Sequence, residues 1–292
     1  MSNFPPDAIE ERATQGAFFK RQLFNEPPAT SHKEVDLTGQ TIIVTGANTG
    51  LGLDYDSILA FVERTKTLDR LDVVVNNAGI SKRVFTPNAF TGHKESDQVN
   101  FLSTALLTLL IPVLRAKKTP QRPGRITIVS SDTPAWAKFK EQDTRPLLAG
   151  FDDQAFFSED RYATSKLLGQ FFIYELAKRV PPSAVVINGP NPGLCKSGLV
   201  REFRSTFIGF IIGIMEAILA RKPAVSACAL TDAAVNHGPE SHGQYIEDGK
   251  LVAWAPILYK PKGEKIRKQL WEELMAEVAF AKVEDILKGI SA

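Results

Sequence analysis

The sequence predicts an α/β fold in which a parallel sheet is covered by helices on both faces. Short runs rich in Val and Ile alternate with longer helical patterns, and a glycine-rich turn directly follows the first run. These runs are apolar throughout, as expected of strands that are buried on both faces. Strands that alternate with helices are typical of a parallel sheet.

Residue patterns place the elements along the chain in order. Strands are predicted over residues 41–45, 72–76, 125–129 and 184–188, with 244–247 as a candidate last strand. Apolar residues at helical spacing predict helices over 54–67, 97–116 and 161–179, and an amphipathic closing helix over 264–287. The very apolar run 207–215 is interpreted as a packed or substrate-covering helix, with peripheral membrane contact as the alternative.

The N-terminal residues 1–38 differ from the rest of the chain. They contain four prolines and no strand alternation, so we expect an extended arm. Four apolar side chains are expected to hold this arm to the body: Phe18, Phe19, Leu23 and Phe24. Residues 39–292 are expected to form a single domain, which is long enough to bury its own core.

Composition narrows the class of protein. The chain has 35 Lys and Arg against 33 Asp and Glu, which argues against a nucleic-acid binder. Two cysteines cannot form a disulfide framework, and the N-terminus shows no secretory signal, so we expect a soluble cytoplasmic protein. No apolar run is long enough to predict a membrane span, and the four histidines lack ligand spacing, so no metal site is predicted.

The first motif is the glycine-rich turn TGANTGLG at residues 45–52. Glycines after a buried strand let the backbone turn tightly and approach a pyrophosphate, whose charge the next helix N-terminus favours. The alternative is a turn that binds no ligand. Its position after a strand favours nucleotide binding.

The second motif pairs Tyr162 with Lys166. At this spacing the phenol and the ammonium share one helix face, and a nearby positive charge stabilises a phenolate. Such a tyrosine is a candidate general acid or base. The spacing alone is weak, because Tyr174 and Lys178 repeat it on the same helix, where a surface phenol and a solvated lysine suffice.

Two further polar residues are candidates by position. Ser131 follows the strand 125–129, at the end of a parallel sheet where ligands bind, although a turn serine is the alternative. Asn100 precedes an apolar helix and is either functional or a satisfied structural amide. Cys195 is interpreted as a small buried side chain rather than a nucleophile.

Together these motifs resemble the short-chain dehydrogenase/reductase family. The matches occur in the family's order: TGANTGLG (45–52), NNAG (76–79), Asn100, VSS (129–131), YATSK (162–166) and NPG (191–193). The resemblance covers about residues 35–290, and its phrases RYATSKLL and NPGLCKSGL look most like a fungal branch related to retinol dehydrogenases. It implies a Rossmann-like, doubly wound parallel sheet and an NADP cofactor, with NAD not excluded.

The resemblance also implies residue roles. Tyr162 would be the acid or base, Lys166 would lower its pKa and hold the nicotinamide ribose, and Ser131 would polarise the carbonyl. Asn100 would hold a relay water, residues 76–79 would line the adenine ribose, and Ser197 would hold the carboxamide. The residues implied to bind the cofactor are Gly46, Asn48, Gly50, Leu51, Gly52, Asp54, Asn76, Asn77, Ala78, Gly79, Tyr162, Lys166, Cys195 and Ser197.

The chain departs from the family between Gly46 and Asn76. Only 30 residues separate them, enough for one strand–helix–strand unit, where the family has two more strands. The sequence therefore predicts a sheet that lacks the second and third strands, together with the helix that normally follows the glycine turn. The side chain that selects NAD or NADP would be missing with them.

The predicted function is an NADP-dependent oxidoreductase that interconverts an alcohol and a carbonyl on a small apolar substrate. We expect no nucleic-acid partner and no membrane-spanning segment. An exposed edge of the first strand would permit a homo-oligomer. The alternative is a shortened, catalytically incompetent relative that acts as an interaction protein or arises from mis-splicing. Cofactor titration distinguishes the two.

Overall fold

A six-stranded sheet forms the centre of the protein. This computed structural model describes residues 4–30, 35–46, 54–118 and 122–291. The strands lie in chain order across the sheet: β1 (Ile42–Val44), β2 (Val73–Asn76), β3 (Gly124–Ile128), β4 (Val185–Asn191), β5 (Tyr245–Glu247) and β6 (Lys250–Val252). The first five strands are parallel, as predicted.

The last strand was not predicted from the sequence. β6 pairs antiparallel with β5 through a two-residue turn, Asp248 and Gly249, both with positive φ. An Asp-Gly turn of this kind matches the twist of two adjacent strands. The predicted strand 244–247 is therefore one arm of a hairpin.

Ten helices accompany the sheet in the described part of the chain. They are α1 (Pro6–Arg12), α2 (Gln15–Phe24), α3 (Tyr55–Thr65), α4 (Glu95–Lys117), α5 (Leu147–Asp152), α6 (Arg161–Ala177), α7 (Phe207–Leu219), α8 (Pro223–Val235), α9 (Pro261–Glu277) and α10 (Val283–Ser291). The predicted helices 54–67, 97–116 and 161–179 correspond to α3, α4 and α6.

The two faces of the sheet are covered unequally. Val74, Ile126 and Ile187 are adjacent in register and face the main core, which α3, α4, α6 and α9 complete. The opposite face carries a smaller cluster, in which Val73 and Val75 pack against Ala234 of α8. Helices therefore lie on both faces, and the doubly wound arrangement is confirmed.

Helix α4 is irregular and buried. It contains a π-helical turn, Gln98–Leu102, and a 3₁₀ segment, Leu107–Leu110. It is the one described helix that is long and apolar enough to cross a membrane, but 78% of its most apolar window is buried inside the protein. This burial is typical of a core helix.

The prediction of an extended N-terminal arm is wrong. Residues 6–24 form α1 and α2, which bury Ile9 and Phe18. Pro6 occupies the first turn of α1, where the missing amide hydrogen costs nothing, and Thr14 caps α2 by accepting a hydrogen bond from Ala17 N at 3.1 Å. The prolines begin and end this helical pair rather than extending it.

Two other helix predictions need correction. The closing helix 264–287 is divided into α9 and α10, because Lys282 adopts a left-handed conformation with φ +52°. Within α7, which contains the run 207–215, only Leu219 is buried, so that run is not a packed helix. Helices α5 and α8 were not predicted.

Strand β1 lies at the edge of the sheet. It connects to β2 through α3 alone, and no strand of the described residues lies beyond it. The helix before β2 packs on the main core face, as the right-handed crossover requires. Val44 of β1 is 51% exposed.

Candidate active site

The four predicted catalytic residues come from three elements that meet at the carboxyl end of the sheet. Ser131 follows β3, and Asn100 lies in the π turn of α4. Tyr162 and Lys166 lie one turn apart in α6. Insertions that form a single π turn recur at functional sites, because they redirect one side chain of an otherwise regular helix.

Lys166 is held by the main chain of the central sheet. Its Nζ donates a hydrogen bond to the Val129 carbonyl oxygen at 2.8 Å and lies 6.0 Å from the centroid of the Tyr162 ring. A Cβ atom added to Gly79 would lie 3.5 Å from this Nζ and 3.5 Å from Asn100 Oδ1. The glycine therefore leaves space between the lysine and the asparagine. Burial lowers the pKa of Lys166 to about 8.

Tyr162 does not have the lowered pKa that the sequence predicted. Burial raises its pKa to about 12, and a hydrogen bond with the Ser131 side chain only partly opposes that shift. The physical reason is that a phenolate loses its hydration here, while the lysine charge is engaged with a main-chain carbonyl. In this state Tyr162 is a neutral phenol at physiological pH.

Ser131 has both a structural and a site-facing contact. Its Oγ accepts hydrogen bonds from Thr133 N at 3.3 Å and Thr133 Oγ1 at 3.1 Å, as a turn serine does. The same side chain is hydrogen-bonded with Tyr162. Its carbonyl oxygen accepts a hydrogen bond from Tyr245 Oη at 2.9 Å, which fixes the backbone of this residue.

Asn100 is almost fully engaged by protein atoms. Its Nδ2 donates to the Ile80 carbonyl oxygen and to Ser165 Oγ, each at 2.9 Å. Its Oδ1 accepts from Ile80 N at 2.8 Å, so one lone pair of this oxygen remains for a water. Asn100 is therefore a satisfied structural amide that can still bind one water molecule.

The glycine turn packs against the NNAG segment. Thr45 Oγ1 accepts hydrogen bonds from Asn77 N and Ala78 N, both at 3.1 Å, and Asn77 Nδ2 donates to the Thr45 carbonyl at 3.1 Å. Gly46 has φ +83°, and a Cβ there would lie 2.8 Å from Ala78 Cα. The position therefore requires glycine. Asn48, Gly50, Leu51 and Gly52 lie outside the described residues.

The other predicted cofactor residues have local contacts. The Asp54 carboxylate caps α3 by accepting from Asp56 N at 2.9 Å and Ser57 N at 3.3 Å. Asn76 is buried, and its Oδ1 has no hydrogen-bond partner among the described residues. Ser197 is exposed, and its Oγ accepts from Leu199 N at 3.3 Å. Cys195 is half-buried and forms a β-bridge with Arg221.

A buried cluster of charges beside Ser131 was not predicted. Arg21 of α2 forms ion pairs with Asp132 and, at 3.0 Å, with Glu247 Oε2, and Arg12 of α1 pairs with Glu247 Oε1 at 2.7 Å. Although burial opposes ionisation, the two arginines hold the pKa of Glu247 below its usual value. The two carboxylates that pair with Arg21 lie 226 and 111 positions away from it in the sequence. No local sequence signal could therefore reveal the cluster.

The second N-terminal helix also holds the loop after β4. Gln22 Nε2 donates to the Leu194 carbonyl oxygen at 2.8 Å and to the Leu219 carbonyl oxygen at 2.9 Å, and its Oε1 accepts from Leu194 N at 3.1 Å. The same oxygen would lie 2.8 Å from a Cβ on Gly193. The N-terminal helices are therefore part of the framework of the site.

Two fungal relatives show to which family this chain belongs. Short-chain dehydrogenase fogG of Aspergillus ruber is 39% identical, and the match covers 97% of each chain. Short chain dehydrogenase/reductase mfmJ of Annulohypoxylon moriforme is 32% identical over 98% of this chain and 97% of its own. The chain belongs to the short-chain dehydrogenase/reductase family. The prediction of an oxidoreductase is thereby confirmed.

Length and fold comparisons add two findings. The alignment with the Aspergillus ruber relative runs over 338 positions although this chain has 292 residues, so part of that short-chain dehydrogenase has no counterpart here. A crystal structure of an uncharacterized protein from Mycobacterium paratuberculosis shares the fold, with a TM-score of 0.59 at 17% identity over 86% of this chain and 98% of its own. No family model matches the chain.

Proposed function

We propose that this chain reduces a carbonyl group on a small apolar substrate, with NADPH as the hydride donor. The observation that carries the proposal is the arrangement of Ser131, Tyr162 and Lys166 at the carboxyl end of β3. A half-buried neutral phenol hydrogen-bonded to a serine hydroxyl, with a buried ammonium one helical turn away, suits proton donation to a carbonyl oxygen.

The residues on the catalytic side fit a nicotinamide nucleotide. Lys166 has an ammonium group with three donors, of which one is used by Val129, and Gly79 leaves space beside it. Asn76 offers a buried side-chain oxygen that lacks a partner among the described residues. Lys166 would hold the nicotinamide ribose, and the backbone near Cys195 with Ser197 would hold the carboxamide.

On the adenosine side the fit rests on fewer residues. Gly46 and the NNAG segment form one wall, and β1 is the edge of the sheet in the described part of the chain. The base that would pair with a 2′-phosphate normally follows a further strand. We infer that the segment without a counterpart in this chain carries that base, so that NADPH binds here with reduced affinity.

The chemistry at the substrate follows from the three side chains. When bound, the reduced nicotinamide supplies a hydride to the carbonyl carbon. The Ser131 hydroxyl donates a hydrogen bond to the carbonyl oxygen, which favours the charge that develops there. Tyr162 donates its phenolic proton to that oxygen, and Lys166 stabilises the resulting phenolate. Asn100 Oδ1 would accept a hydrogen bond from a water molecule, and that water could return a proton to Tyr162.

A titration with NADPH tests this function. The chain is compared with a restored chain that carries about 45 residues of the Aspergillus ruber relative after Gly52, the length of two strand–helix units. We expect saturable binding by both chains and weaker binding by the shorter one. No binding by either chain at millimolar NADPH would contradict the proposed function.

The alternative, a catalytically incompetent interaction protein, is favoured by one observation. Val44 on the edge strand is half exposed, and an unpaired edge can join a second chain. Binding by the restored chain alone, together with self-association of the shorter chain that Val44→Lys abolishes, would favour this alternative. Equal affinity of the two chains would show that the shorter chain forms a complete site.

A further inference from the structure

Helix α7 is apolar on all sides yet lies at the surface. Between Phe207 and Leu219 its only charged residue is Glu216. Phe207, Phe210 and Ile218 are 78%, 64% and 69% exposed. A helix that is hydrophobic all round is normally buried in a core or in lipid. Within the described residues α7 buries only Leu219, so its apolar surface lacks a partner.

The neighbouring helix α2 extends this surface. Gln22 of α2 is hydrogen-bonded to the last residue of α7, Leu219, which brings the two helices together. Together they contribute eight of the twelve large hydrophobic side chains that are exposed in the described residues. We call these eight the apolar platform: Phe19, Leu23, Phe24, Phe207, Phe210, Ile211, Ile214 and Ile218.

Positive charge flanks the apolar platform. Exposed cations near it in sequence include Lys20, Lys196, Arg204 and Lys222, and they outnumber the nearby acids, the exposed Glu26 and the half-buried Glu216. No carboxylate of the described residues lies within ion-pairing distance of any of these four cations, whereas Glu202 in the same segment is paired with Lys82 at 2.9 Å. The cations are therefore available to an external anion.

We propose that the apolar platform docks onto the surface of an anionic phospholipid bilayer. Aromatic and branched aliphatic side chains would enter the acyl boundary, and the flanking cations would pair with lipid phosphate and carboxylate groups. A 13-residue helix is about 20 Å long, which is too short to span the hydrocarbon core, so α7 would lie in the plane of the interface.

Charge argues against a second copy of the chain as the occupant. A symmetric dimer through the platform would place the same patch of each chain face to face. It would bring at least four cations of each copy together with only Glu26 and Glu216 of each copy to offset them, which is unfavourable. An anionic lipid surface has the complementary charge.

The segment that carries α7 begins and ends near the candidate active site. Residues 197–220 form a loop whose two ends are held together by backbone hydrogen bonds. Arg221 N donates to the Leu194 carbonyl oxygen at 2.9 Å, and Lys196 N donates to the Arg221 carbonyl oxygen at 3.2 Å. Between these bonds lies Cys195, which forms a β-bridge with Arg221 in the loop after β4. The segment that carries α7 is therefore joined to the protein next to the candidate active site, whether or not the chain turns over a substrate.

Vesicle flotation tests the proposal. The full chain is mixed with vesicles of equal parts phosphatidylcholine and phosphatidylserine, or of phosphatidylcholine alone. We expect it to float with the anionic vesicles and more weakly with the neutral ones. The double variant Phe210→Asp/Ile218→Asp should lower the partition coefficient at least about tenfold, because two exposed apolar contacts become charged. The matched control Phe90→Asp, at a site 72% exposed elsewhere, should float like the wild type.

A second pair of variants tests the charge. Arg204→Gln/Lys222→Gln should lower binding to anionic vesicles, whereas the exposed control pair Lys66→Gln/Lys265→Gln should not. Circular dichroism shows whether each variant is folded. The proposal fails if the wild-type chain does not float with anionic vesicles, or if the two aspartates leave flotation unchanged. It also fails if light scattering shows a dimer that these aspartates dissociate, since a second copy would then cover the platform.

Discussion

The guanidinium of Arg21 forms a buried ion pair with Asp132, the residue that directly follows Ser131. Helix α2 therefore holds the side chain of the residue next to a candidate catalytic hydroxyl. Glu247 at the end of β5 shares the same arginine, so the N-terminal helix joins the ends of two strands. Gln22, the next residue, holds the loop after β4 from the same helix. An arm outside the domain would have no such role.

Replacing Arg21 should damage both stability and turnover. Arg21→Met leaves the Asp132 carboxylate buried without its partner, so the free energy of unfolding should fall by about 3 kcal/mol. The value of kcat for carbonyl reduction should fall at least about tenfold, because Ser131 is no longer positioned. Urea unfolding and steady-state kinetics measure the two effects. Lys20→Met, an exposed neighbour on α2, serves as the control and should change neither.

Replacing Tyr162 should remove turnover alone. Tyr162→Phe removes only the phenolic oxygen, so kcat should fall by about two orders of magnitude or more while the melting temperature stays within a few degrees. Tyr174 is the matched control, since it also has a lysine one turn later on α6, with Lys178 Nζ 4.4 Å from its ring. Activity that survives in Tyr162→Phe and disappears in Tyr174→Phe would show that the other pair is catalytic.

The rate of carbonyl reduction should depend on pH through Lys166. Burial lowers the pKa of this lysine to about 8, whereas Tyr162 stays protonated because its pKa is raised to about 12. Lys166 is therefore charged below pH 8 and becomes neutral above it, so kcat/KM should be level at lower pH and fall above about pH 8. The variant Lys166→Arg keeps its charge and should lose that decline. A wild-type profile that stays level to pH 10 would contradict this assignment.

His93 should make the stability of the fold pH-dependent. Its Nδ1 lies 2.7 Å from Asp152 Oδ2 and its Nε2 lies 3.1 Å from Glu277 Oε1. Burial opposes the charge, but these two hydrogen bonds raise the pKa of His93 to about 10. A raised pKa means that the stabilisation is complete below the ordinary value of 6.5 and is lost as pH rises through 10.

Denaturation at several pH values checks the role of His93. At pH 6, His93→Gln should lower the free energy of unfolding by about 1 kcal/mol, and the difference should vanish toward pH 10. The control Lys66→Gln removes an exposed ion pair with Glu63 and should cost less than about 0.5 kcal/mol. A constant difference between wild type and His93→Gln across this range would mean that packing, rather than charge, explains the loss.

Much of the sheet could be predicted because its signals are local. The five parallel strands are short apolar runs beside turns, and α3, α4 and α6 show helical spacing over several turns. Helix α8 was missed because its small residues, from Pro223 to Val235, give little periodic contrast. The N-terminal helices were missed because prolines were interpreted as breakers, although Pro6 stands in the first turn of α1.

The sequence by itself determined the family motifs and the segments that form the parallel strands, and it placed Tyr162 and Lys166 on one face of a helix. Helix geometry fixes that pairing over a single turn. Only the tertiary structure decided that Tyr162 is a neutral phenol and that Arg21 pairs with Asp132. Both depend on burial and on charges brought together from distant parts of the chain, and a residue's own sequence neighbours do not fix its dielectric surroundings.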